Sequence, residues 1–188
     1  MQIRLHIAAV LALMLNIFLS PVAGAQIRIP RIGILNSPKA LGITVQTLEN
    51  QSDAFNTFSL MADMDGIFTG EAKDPGARMC WIHGEPILKG VGDGFDYTFY
   101  AGAGASFGFV RDFGSTIHRN HGLTLAMASV AGVMLEFPGH IDLAIDFSAE
   151  LGLHLRKDET YPDRTDLSWY ANGILNCWMP QITLFYRF

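Results

Sequence analysis

The sequence predicts an all-β protein: a closed, antiparallel, eight-stranded transmembrane up-and-down barrel. Three observations carry this. Long runs alternate apolar and non-apolar side chains with a period of two, most clearly HIDLAIDFSAELGLHLR at 140–156. The connections between runs alternate in length, short then long. After residue 25, no stretch has the 18 or more consecutive apolar residues of a membrane-crossing helix.

The run 141–156 decides strand against helix. Asp142, Asp146, Glu150 and His154 are four apart, so a helix could also gather them on one side. On a helical wheel, however, Leu153 falls between Asp142 and Asp146, and the other apolar residues spread around the remainder. A period of two sorts every residue: apolar at each odd position from Ile141 to Leu155, and Asp, Ala, Asp, Ser, Glu, Gly, His and Arg between them. At roughly 3.3 Å per residue such a strand is about 50 Å long.

The other runs follow in order. Residues 28–35 form a weak first strand. In 41–48, Leu41, Ile43 and Val45 oppose Gly42, Thr44 and Gln46. In 56–68, Phe58, Leu60, Ala62 and Met64 oppose Ser59, Met61, Asp63 and Asp65. The run 77–89 is less regular, with Cys80, Ile82 and Leu88 against Trp81, His83, Glu85 and Lys89. In 95–110, aromatics and alanines oppose Thr98, Tyr100, Gly102, Gly104, Ser106 and Gly108. In 121–137, Leu123, Leu125, Met127, Val133 and Leu135 oppose Gly122, Thr124, Ala126, Ala128, Gly132 and Glu136. The eighth run is 177–188. Short turns are expected at 36–39, 49–53, 90–94 and 138–139, and longer polar loops at about 70–76, 112–120 and 157–176. With both ends of the domain on one side, the three longer loops share the opposite side, joined there by the short turn 36–39.

Alternation does not say which face meets water. Two features point the apolar face outward. The non-apolar faces are rich in small residues, such as Gly102, Gly104, Ala126, Ala128, Ala144 and Gly152, which suit a narrow lumen better than a solvated surface. Aromatics gather near strand ends, as membrane interfaces require. The titratable groups then crowd the axis. The expected interior cluster is Arg31, Asp63, Asp65, His83, Glu85, Asp142, Asp146, Glu150, His154 and Arg187, with ion pairs from the acids of the seventh strand to Arg31 and Arg187.

The N-terminus, MQIRLHIAAVLALMLNIFLSPVAGAQ, has a positive Arg4, an apolar stretch and Ala23-Gly24-Ala25. This is the pattern of a secretory signal peptide, which divides the chain into 1–25 and a barrel domain at 26–188. Removing residues 1–25 takes away one charge, so a net charge of −5 becomes −6. That balance argues against nucleic acid as a partner.

The chain ends QITLFYRF. Leu184, Tyr186 and Phe188 alternate, and the last residue is aromatic. This ending resembles the C-terminal strand of bacterial outer-membrane barrels. The whole pattern is similar to the small eight-stranded ones, the outer membrane protein A transmembrane domain and outer membrane protein X. The resemblance implies a Gram-negative integral outer-membrane protein, and a non-enzymatic, monomeric barrel with a filled interior. It implies contact with outer-membrane lipids and lipopolysaccharide, surface contacts through the longer loops, and barrel-assembly machinery reading Leu184, Tyr186 and Phe188. No peptidoglycan-binding domain is expected after Phe188, so that role is not expected to transfer.

Catalytic and metal chemistry is thinly signalled. His118 and His121, in TIHRNHG, lack a third ligand at zinc spacing. Ser115 or Ser168 with His118 or His154 could be cast as a lipid A-modifying deacylase or acyltransferase, but no spacing matches such a motif. Cys80 and Cys177 are expected on distant strands and unpaired. No catalytic, metal or cofactor residue is assigned. The alternatives are a lipid A-modifying enzyme and a soluble secreted ligand-binding barrel.

Overall fold

The computed structural model describes residues 28–49, 53–64, 67, 74–112, 121–157, 161 and 164–188. The expected signal peptide, Asp65, Ser115 and His118 lie outside them. Among the described residues nine strands form: β1 (Arg28–Asn36), β2 (Ala40–Leu48), β3 (Phe55–Asp63), β4 (Gly76–Val91), β5 (Asp96–Val110), β6 (Gly122–Glu136), β7 (Ile141–Lys157), β8 (Thr165–Trp169) and β9 (Pro180–Arg187). A short helix, α1 (Ala171–Leu175), and one 3-10 turn (Asn176–Trp178) precede β9.

Each of β1 to β7 pairs antiparallel with the next, and β9 pairs with both β7 and β1. The sheet therefore closes as an eight-stranded antiparallel barrel, the fold that the alternation predicts. β8 is an addition to it. The lower half of β7, from Ile141 to Phe147, pairs with β9, while Leu153–Lys157 pairs with β8. The reason is length: β7 has 17 residues and β9 only 8, so the upper backbone of β7 needs another partner. The polar loop expected at 157–176 thus contains a strand and a helix.

The wall has its apolar face outside. Ile34, Leu41, Ile43, Leu60, Phe107, Leu125, Leu151 and Leu184 are all exposed, as is Phe147, while Leu143 and Ile145 are half-buried among outer-face neighbours. The lumen receives the opposite parity, including Thr44, Gln46, Ser106, Thr124, Asp142 and His154, each at most 2% exposed. Phe185, the apolar exception on the last strand, turns inward. It packs with Phe55, Tyr100, Met134 and Ala144 as an apolar layer across the lower lumen, with Phe55 edge-on to Tyr100 at 5.3 Å.

The lower turns are tight. Gly94 and Gly139 take φ of +86° and +105°, which other residues rarely adopt. Inside, small residues let the strands approach. A Cβ on Gly104 would overlap the Trp81 carbonyl. Gly104→Val is therefore expected to lose the folded, compact band on an unheated SDS gel, whereas Ala103→Val, on the outer face, keeps it.

Candidate functional site

The lumen is filled in layers. At the lower mouth Arg31 is the hub: its Nε donates to Asp142 Oδ2 at 2.7 Å, one terminal nitrogen to Gln46 Oε1 at 2.8 Å and the other to Glu136 Oε1 at 2.5 Å. Arg187 stands 3.7 Å from both Glu136 and Asp142, and it donates to the Phe137 and Gly139 carbonyls of the β6–β7 turn. A guanidinium with a fork of donors can satisfy several oxygens at once, which explains Arg at both positions.

Above the Phe185 layer, the Tyr100 hydroxyl donates to Asp146 Oδ2 at 2.9 Å. Gln181 donates to Ser148. Higher still, Arg78 pairs with Glu150 at 2.7 Å, and the Ser106 hydroxyl donates to the other Glu150 oxygen at 2.9 Å. A cavity of about 60 Å³ lies among these groups, lined by apolar Met61, Ile82 and Val130 on one side and by Asp146, Glu150 and Gln181 on the other. This is room for a few waters and too little for an acyl chain.

At the top, His154 is fully buried, with Nε2 3.1 Å from the Val110 carbonyl and its ring 6.2 Å from Tyr170. Tyr170 follows β8, and its burial pushes its hydroxyl above the ordinary tyrosine range. Arg156 pairs with Asp166 at 2.7 Å across β7 and β8. Asp112 receives the backbone N–H groups of Ala171 and Asn172 at 3.1 and 3.0 Å.

The expected interior cluster divides in two. Arg31, Asp63, Asp142, Asp146, Glu150 and His154 lie buried in the lumen, and Arg187 lies at its lower mouth. His83 and Glu85 do not. They point outward from β4, with His83 beside Asn56 Oδ1 at 3.3 Å and Glu85 exposed, so they form no interior group with Asp63. The cause is register. Cys80 pairs with Ser59 and Ser106, and Ile82 with Thr57 and Gly104; all of these face inward, and strand pairing forces Trp81, His83 and Glu85 out. An irregularity between Pro86 and Leu88 then sends Leu88 out beside Phe99. Arg78, Gln46, Tyr100, Ser106, Glu136 and Asp112 belong to the network and were not assigned from sequence. Arg78 had a signal: it is two residues before Cys80, on the face that β3 and β5 impose.

The other candidate residues are also placed. Leu184, Tyr186 and Phe188 lie on the outer wall, exposed. Cys80 and Cys177 are free thiols, Cys80 lining the cavity. His121 stacks on Phe109 at 5.4 Å; burial first, and then the Arg111 guanidinium, push its pKa down. Ser168 is opposite His154 in the β7–β8 register, but that imidazole is sealed from the outer wall with Nε2 on a backbone carbonyl.

Fold and interior together define a class: a small closed barrel, oily outside and cross-braced by ions within. No protein-family model, curated protein or solved structure matches the chain.

Proposed function

We propose that this chain is a small outer-membrane β-barrel protein of a Gram-negative envelope, with a structural or surface-contact role. In this reading residues 1–25 direct export and are removed, and barrel-assembly machinery reads Leu184, Tyr186 and Phe188. The mature protein is a monomer in contact with outer-membrane lipids and lipopolysaccharide. Its longer loops, near 70–76, 112–120 and 157–176, meet the exterior.

One observation carries the reading. Large apolar side chains cover the outside of a closed sheet while its acids and arginines fill the axis. In water this arrangement would leave a very large apolar surface exposed. In a bilayer it is the stable one, because closure pairs the strands around the barrel and hydrocarbon takes the apolar band. A soluble ligand-binding barrel would carry the opposite polarity.

The test is extraction and gel mobility. The protein should stay with membranes through a carbonate wash, need detergent for extraction, and run faster on an SDS gel before boiling than after. Release in carbonate as a soluble species would overturn the membrane assignment.

A further inference from the structure

We propose that residues 170–179 form a lid over the lumen, and that Asp112 is the latch that holds it shut. The inference needs only the barrel and its interior, so it stands or falls apart from the membrane assignment.

The geometry starts from a gap in the wall. β9 covers β7 only as far as Phe147, and β8 pairs with the top of β7 alone among the described strands. Between them the chain leaves β8 at Tyr170, runs against β7 as α1 and the 3-10 turn, and returns as β9. Tyr170 and Asn172 are buried on the lumen side, while Ile174, Leu175 and Trp178 are exposed on the other. A five-residue helix is not stable by itself and depends on what holds its ends.

Three contacts are central to holding it, beside a hydrogen bond from the Asn172 side-chain amide to the Arg111 carbonyl at 3.5 Å. The Tyr170 N–H donates to the Gly152 carbonyl at 2.9 Å, at the hinge with β7. Asp112, from the top of β5, takes the first two helix N–H groups, one on each carboxylate oxygen. A carboxylate there satisfies two otherwise unpartnered donors and opposes the helix dipole. Third, Gly173 sits directly on Glu150: a Cβ there would overlap the Glu150 carbonyl and crowd its side chain. The lid thus rests on the same Glu150 that pairs with Arg78 and Ser106.

Beneath it two spaces adjoin. A small pocket at the rim is lined by Ser37, Lys39, Asn172 and Gly173, and it shares Ser148, Glu150 and Gln181 with the interior cavity. Asn172 and Gly173 are lid residues, so lifting the lid joins that cavity to the outside. The chamber it would open is polar on one side and of water scale, so it would admit water and small polar solutes.

Cys80 lines the cavity and reports on the lid. In a Cys177→Ala background it is the sole thiol. The folded protein in detergent micelles is treated with a small cationic thiosulfonate, and modification of Cys80 is followed by mass. The closed lid predicts slow modification in the parent. Asp112→Ala should speed it at least tenfold while the unboiled gel band stays compact. Gly173→Leu, which leaves the latch in place but cannot seat on Glu150, should do the same. It keeps the test valid if the Asp112 variant fails to fold. Parent Cys80 reacting as fast as in the denatured chain would overturn the lid. Unchanged rates in folded Asp112→Ala protein would overturn the latch.

Discussion

Arg31→Ala should lower the unfolding free energy by about 3–5 kcal/mol, the usual cost of breaking a buried ion pair from one side. The reason is what remains. Asp142 is fully buried, and Glu136 sits beside it. Without Arg31 the cation left to them among the described residues is Arg187, 3.7 Å from each. Two carboxylates, one of them fully buried, would then share one distant cation. Denaturant unfolding in micelles, followed by tryptophan fluorescence, measures the loss. Adding Asp142→Asn to Arg31→Ala should restore part of it, because the stranded charge goes with the carboxylate. A loss below about 1 kcal/mol for Arg31→Ala would show that water solvates the lower mouth and that the pair is a surface one.

Ile43→Arg should cost about 2–4 kcal/mol in a lipid bilayer, the usual range for a cation at mid-depth on a barrel's lipid face. Ile43 is exposed on β2 between Ile34 of β1 and Leu60 of β3, in the apolar outer wall. Val91→Arg, at the lower tip of β4, should cost under about 1 kcal/mol, since an arginine there reaches the interface. The contrast between the two sites matters more than either value. If water surrounded the wall, an exposed isoleucine could become arginine within about 0.5 kcal/mol, and the two variants would unfold alike. Reversible folding into vesicles of defined lipid, titrated with denaturant, gives both numbers.

These two variants probe opposite faces of one wall, and both faces are legible in the residue order where alternation is strict. From Ile141 to Arg156 and from Gly122 to Glu136, parity alone sorts luminal from outer side chains, because a strand sends successive side chains to opposite sides. Where alternation weakens, it fails. In β4 the cysteine and isoleucine are luminal and the histidine and glutamate are outside, against their polarity, because hydrogen-bonding to β3 and β5 leaves no other phase. A local pattern cannot outvote two neighbours that pair along most of its length.

The eight strands of the barrel, its closure and the phase of the regular strands follow from the order of residues, because a period of two is a local property of the backbone. The partners of Arg31, the place of Arg78 and the reach of Asp112 to α1 do not. They join positions 15 to 111 residues apart, and those distances close only when the sheet curls with a particular register. The stub of β9 against the length of β7 could not be seen either, since a strand's end depends on whether a neighbour continues beside it. It is that mismatch, settled in three dimensions, that leaves the gap the lid fills.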